Sequence, residues 1–148
     1  GNGGEGIHRF DKSNFNSNKL EEYLHLPIMV QKFINEINDG DRRVVFFDGE
    51  YYGSVDRIPQ EDNVKANFHA GGKAVKTGLV YRDKEIIEIL GPKLKEHNLF
   101  FVGIDIIGNY LTEINVTSPT GLKQINALNN VNLEKDFWDK LEAKYKLV

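Results

Sequence analysis

Asp105, Glu113 and Asn115 are the residues whose types and spacing first suggest chemistry in this chain. In an extended strand alternate side chains share a face, so Glu113 and Asn115 point one way while Ile114 and Val116 point the other. Asp105 lies on the preceding apolar run, across Gly108-Asn109, and the three side chains offer oxygen donors. A hard cation such as Mg2+ takes such ligands, keeps several waters, and is typically shared between one or two carboxylates and nucleotide phosphates. A solvated polar row on a strand would use the same residue types.

Register separates the two readings. Gly108-Asn109 favours a two-residue II′ turn, which pairs Ile107 with Tyr110 and Asp105 with Thr112. That pairing sends Asp105 and Glu113 to opposite faces. Joint ligation therefore requires an odd-length loop or a β-bulge in this hairpin.

Arg43 and Arg57 sit on the two arms of a second hairpin signal, Asp48-Gly49, and guanidinium groups can grip a phosphate or carboxylate bidentately. The opening hexapeptide GNGGEG fits GxGxxG, whose freed backbone N–H groups can surround phosphate oxygens. By itself it serves equally well as a plain loop, because a strand-like segment follows it instead of a helix. His8, His25, His69 and His97 are scattered without ligand spacing and read as structural, and no Ser/His/Asp order or HExxH occurs.

The 148 residues suit one globular domain, with 40% hydrophobic and 28% charged residues. A net charge of −3 gives no support to nucleic-acid binding. No apolar run approaches the roughly 20 residues of a membrane span, and zero cysteines fit a cytoplasmic protein with no thiolate metal site.

The elements that must position these residues follow from periodicity. IHRF (7–10) reads as a short strand, 19–25 as a short helix, and PIMVQKF (27–33) as a buried strand. Residues 42–58 read as a hairpin, and 60–76 as a long loop of the kind that is usually functional or disordered. Asp83 is placed to cap a helix carrying Ile86, Ile87, Leu90 and Leu94, which Gly91-Pro92 should kink or interrupt. A strand over 99–107 returns antiparallel through the 111–116 stretch. Asn132 caps a last helix with Leu133, Phe137, Leu141 and Tyr145 in one stripe. The class is α+β, a mostly antiparallel sheet with packed helices.

The segments GDRRVVFFDGE, RIP, NFHAGG and GPKLKEHNLFFVGIDIIGNYLTEINVTSPTG, taken in order, resemble the ATP-grasp domain of bacterial glutathione synthetases. The resemblance covers almost the whole chain, and VGIDIIGNYLTEINVTSPTG is close to the family's metal-binding signature. It implies an ATP-grasp C-terminal lobe in which Asp105, Glu113 and Asn115 bind two Mg2+ ions, with Mn2+ as a substitute, against the ATP phosphates. Gly3, Gly4 and Gly6 would form the small glycine-rich loop over those phosphates. Gln31, Lys32, Phe33 and Ile34 match the segment whose backbone receives adenine, and Asp41 a nucleotide-contacting acid. Arg43 and Arg57 resemble arginines near the acyl phosphate, while Asn67, Ser118, Thr120 and Gly121 resemble substrate-side residues. Lys65 stands where the family usually has Arg, and it lacks the planar fork. His69 stands where a small residue is usual.

The resemblance implies an ATP-dependent ligase that joins γ-glutamylcysteine and glycine, small-molecule partners with no nucleic acid or membrane, and a homo-oligomeric full-length protein. Alternatives are another ATP-grasp carboxylate-amine ligase or a non-catalytic nucleotide-binding lobe. The family's phosphate-gripping lysines lie upstream of the glycine loop and none is present here. The chain is therefore expected to be a fragment, weakly active or inactive alone.

Overall fold

Two short turns organise the sheet, as their residue types predict. In the computed structural model, which describes residues 7–59 and 73–146, Asp48 and Gly49 both have positive φ, 51° and 77°. This is the I′ geometry that matches strand twist, and it joins β1 (Asp41–Phe47) to β2 (Glu50–Ile58). At the second turn Gly108 has a positive φ of 56°, as II′ requires, and it joins β4 (Phe101–Ile107) to β5 (Tyr110–Asn115). With β3 (Lys73–Val75) these strands form a five-stranded antiparallel sheet of order β3-β2-β1-β4-β5.

Both faces are covered, which explains why β1 and β4 read as continuous apolar runs. Val44, Phe46, Val102, Ile104 and Ile106 pack on α2 (Tyr81–Glu96) through Ile86 and Leu94. Val45, Phe47 and Val55 pack on α3 (Leu122–Asn129) and α4 (Leu133–Tyr145) through Ile125 and Leu133. Asn132 caps α4 as expected, accepting a hydrogen bond from Lys135 N at 3.1 Å. The apolar stripe of α4 stops short of Tyr145, which is exposed.

Several expectations are corrected. Residues 7–10 and 27–33 form no strand, and Met29 and Val30 are more than 80% exposed. An apolar run becomes a strand only where a neighbour accepts its backbone hydrogen bonds, and among the described residues none pairs with it. The early helix α1 is shorter and lies at Ser17–Glu21. Asp83 is the third residue of α2, not its cap. Its carboxylate reaches back to accept from Val80 N at 2.8 Å. Helix α3, only eight residues long and without a side-chain cap, is not among the expected elements.

Pro92 lies inside α2 without interrupting it. Buried Ile86 and Leu94 hold the helix on either side, and the hairpin tip presses on it between them: a Cβ on Gly91 would lie 2.4 Å from Gly49 O. Alanine normally outdoes glycine in a helix by about 1 kcal/mol. Here Gly91→Ala is expected to destabilise by about 1–3 kcal/mol, because backbone must move to admit the methyl group. Chemical denaturation checks the sign.

Candidate functional site

One face of the sheet, beyond the end covered by α3 and α4, gathers the charged residues singled out above. Counting back from the Asp48-Gly49 turn in strict pairs would set Arg43 opposite Ser54 and turn Arg57 to the other face. A bulge at Tyr52 shifts the register, so that Arg43 faces Val55 and Arg57 faces Asp41. The second hairpin carries a matching irregularity. Ile107 pairs with Tyr110 as expected, but Thr112 is left over, and Asp105 comes to face Glu113 while Gly103 faces Asn115. The required bulge is present. Thr112 secures it by donating its hydroxyl to Asp105 O at 3.0 Å. Two one-residue bulges thus bring Arg43, Arg57, Asp105, Glu113 and Asn115 to one side.

The charges alternate. Arg43 Nε and Nη2 donate to the two carboxylate oxygens of Asp105 at 2.6 and 3.0 Å. Arg57 Nη2 lies 2.9 Å from Asp105 Oδ2, and Arg57 also grips Asp41 through Nε at 2.7 Å and through Nη2. Arg43, Arg57 and Asp105 are each at most 5% exposed. Arg43 Nη1 also donates to Thr120 O at 3.0 Å, tying the Ser118–Gly121 turn to the sheet. Gly103 makes that approach feasible, since a Cβ there would lie 2.8 Å from Pro119 Cβ. Gly40, at φ 108°, likewise packs where a Cβ would strike Arg57 O at 2.4 Å, and so brings Asp41 in. Gly103, Gly40, Tyr52 and Thr112 build the site without having been singled out in the sequence. A residue paired across the register of a bulged hairpin carries no local signal.

The electrostatics follow from this packing. Burial pushes the Asp105 carboxyl up, but the hydrogen bond from Arg43 and the charges of Arg57 and Arg43 outweigh it and hold it below the usual carboxylate range. Burial raises Asp41 above its ordinary value despite the bond from Arg57. Partial burial and then the charge of Asp105 raise Glu113, although its side chain reaches solvent. Asp105 therefore contributes stability that is present above its unfolded pKa and lost as pH falls through its lowered folded value. Ionised Glu113 opposes folding slightly as pH rises, but a bound cation would require that ionised form.

The donor set fits a hard cation. Asp105 accepts three hydrogen bonds from the arginines, one on Oδ1 and two on Oδ2, so Oδ1 is the oxygen less committed to them. Among the described residues Asn115 Nδ2 is buried without a hydrogen-bond partner. Amide oxygen and nitrogen exchange places by a flip, so Asn115 has an amide group there to offer a ligand. Among the described residues no three His, Cys, Asp or Glu side chains cluster as metal ligands. A cation held by Asp105, Glu113 and Asn115 would complete its shell with water or bound anions, as Mg2+ commonly does. Mn2+ titration should show affinity weakening as pH falls, starting above the range of an ordinary glutamate because Glu113 takes its proton early. Electron paramagnetic resonance checks this directly.

Other expected site residues lie elsewhere. Gln31, Lys32, Phe33 and Ile34 run without regular structure into a 3-10 turn (Asn35–Asp39) that leads to Gly40 and Asp41, and Phe33 carries the Arg9 guanidinium at 3.9 Å from its ring centroid. Ser118 and Thr120 are exposed, while Gly121, at φ 120°, is the N-cap of α3. Gly3, Gly4, Gly6, Lys65, Asn67 and His69 lie outside the described residues. A cleft of about 260 Å³ is lined by His8, Arg9, Phe10, Asn14, Glu22 and Tyr23, and none of the clustered charges lines it. The charged cluster lies on the sheet face, outside that cleft.

Residues 1–130 match the family described as prokaryotic glutathione synthetase, ATP-grasp domain. Among curated proteins, the glutathione synthetase of Mesorhizobium japonicum is 41% identical over 150 residues, covering 99% of this chain and 48% of the relative. That of Gloeobacter violaceus is 46% identical over 145 residues, 95% of this chain and 45% of the relative. The glutathione synthetase of Rhodopseudomonas palustris is 42% identical over 148 residues, 97% and 47% respectively. The chain spans about half the length of the curated relatives it matches. Among the described residues no helix is long and apolar enough to cross a membrane.

Proposed function

Because this chain belongs to the prokaryotic glutathione synthetase ATP-grasp family, we propose that it supplies the metal-binding and substrate-side face of an enzyme that condenses γ-glutamylcysteine with glycine at the expense of ATP. The observation that carries this reading is the Thr112 bulge, which sets Asp105 opposite Glu113 with Asn115 on the same face.

In the proposed reaction an oxygen of the γ-glutamylcysteine carboxylate attacks the terminal phosphorus of ATP, giving an acyl phosphate and ADP. The glycine amine then attacks the acyl carbon. A C–N bond forms, the C–O bond to phosphate breaks, and inorganic phosphate and a proton leave. Asp105, Glu113 and Asn115 would hold two Mg2+ ions, whose contribution is to neutralise charge on the phosphate oxygens. Arg43 and Arg57 place guanidinium charge beside those ligands, and the Ser118–Gly121 turn, pinned by Arg43, borders the acid. Gly3, Gly4 and Gly6 would cover the phosphates, Gln31 to Ile34 and Asp41 would serve the nucleotide, and Asn67 the substrate. The soluble substrates and ATP accord with a cytoplasmic setting, and with small molecules as the partners of a homo-oligomer.

A chimera in which this chain replaces the matched stretch of the Gloeobacter violaceus enzyme tests the reading. It should release one phosphate per glutathione formed, and only with ATP, γ-glutamylcysteine, glycine and a divalent cation present. A folded, ATP-binding chimera that prefers another acid or amine would overturn the substrate assignment.

A further inference from the structure

Arg42 and Arg43 are neighbours on β1, so the pleat sends them to opposite faces. Arg43 belongs to the charged site. Arg42, on the α2 face, holds an assembly of its own. Its Nε and Nη2 fork onto Asp56 of β2 at 2.7 and 3.0 Å, Nη2 donates to Thr77 Oγ1 at 2.8 Å, and Nη1 donates to Asp83 near the start of α2. Asp83 is 1% exposed and also accepts from Val80 N. One guanidinium thus joins β2, the residue two places beyond β3, and the first turn of α2.

The geometry points to Arg42 as a positioning residue for Arg57, and this rests on the reading of Arg57 as part of the ligase site. Strand β3 is three residues long and, among the described residues, pairs only with β2, through Asp56–Val75, Arg57–Ala74 and Ile58–Lys73. Such a short edge strand has too little ladder to fix itself. Arg42 anchors it from both sides of the ladder: Asp56 precedes Arg57 on β2, and Thr77 follows β3. The anchor sets how β2 and β3 sit at Arg57, and the Arg57 guanidinium on the far face then meets Asp41 and Asp105. Lysine in place of Arg42 would keep the charge but lose the planar fork that reaches three partners at once.

Two variants of this chain test the assignment, with amide hydrogen exchange and the nuclear magnetic resonance signal of Arg57 Nε–H as readouts. Thr77→Val removes a half-buried hydroxyl that accepts from Arg42 and donates to the neighbouring Gly78 O at 3.3 Å, and Arg42→Lys removes the fork. Both should speed exchange at the amides that bond β3 to β2, by about tenfold for loss of one to two hydrogen bonds. Both should shift the Arg57 Nε–H signal, while Val45 and Ile104 at the centre of the sheet keep their protection. Unchanged exchange at β3 in both variants, an unmoved Arg57 signal, or an equal loss of protection across the whole sheet in Thr77→Val would overturn the assignment. Neither readout depends on turnover, so a chimera that makes no glutathione strikes the proposed function and leaves this result standing.

Discussion

Asp105→Ala is expected to lower folding stability by about 3–5 kcal/mol, the range for breaking a buried ion pair from one side. The reason is what remains behind. Arg43 and Arg57 are 5% and 2% exposed, and between them they direct three N–H groups at the lost carboxylate. Arg57 keeps Asp41, and Arg43 keeps only the carbonyl of Thr120. For a domain of this size the loss corresponds to a fall in Tm of roughly 6–20 °C. A double-mutant cycle separates pairing from packing. Arg43→Leu combined with Asp105→Ala should cost less than the sum of the two single changes, because it removes the stranded charge together with its partner. A strictly additive cycle would show that the Arg43–Asp105 contact contributes nothing beyond its volume. Since Asp105 is held ionised by these arginines, the wild-type advantage should persist at neutral pH and fade only as acid protonates it.

The hairpins were legible in the sequence because turn chemistry is local. Asp48-Gly49 and Gly108-Asn109 need positive φ at particular places, and those residue types supply it. The charged face was legible in part. Side-chain alternation put Glu113 beside Asn115, and the demand that Asp105 join them called for the bulge later found at Thr112. The bulge at Tyr52 gave no such warning. Unbulged counting sets Asp41 against Asp56, and only the extra residue brings it to Arg57. For that reason Arg43 and Arg57 looked like free grips for a ligand, whereas each is committed to buried aspartates. Residues 27–33 misled in the opposite direction. Their apolar run is real, but periodicity says nothing about whether a neighbouring strand is there to receive it. Helix α3 begins at a glycine with no side-chain cap and is only eight residues long, so its stripe of Leu122, Ile125 and Leu128 is too short to stand out without a capping signal.

Glu113→Gln provides the complementary experiment on the same cross-strand pair. Glu113 faces Asp105 in register but reaches solvent, and no buried arginine is paired with it in the way Asp105 is. Glutamine preserves its volume and one side-chain acceptor oxygen, so folding stability should change little, within about 0.5 kcal/mol, the usual range for a surface substitution. Its negative charge is lost, however, at the point where, on the proposed reading, a divalent cation would be held against polyanionic phosphates. Turnover by the chimera should therefore fall by roughly 10²–10³-fold, comparable to losing one preorganised electrostatic group from an active site. Mn2+ affinity should fall with it, and the pH dependence assigned to this carboxyl should disappear. Turnover that survives with its pH dependence intact would remove Glu113 from the ligand set. Asp105 and Glu113 thus divide the work across one bulged pair. On the proposed reading Asp105, clamped by two arginines, builds the face, and Glu113, raised and open to solvent, would supply the charge that holds a cation there.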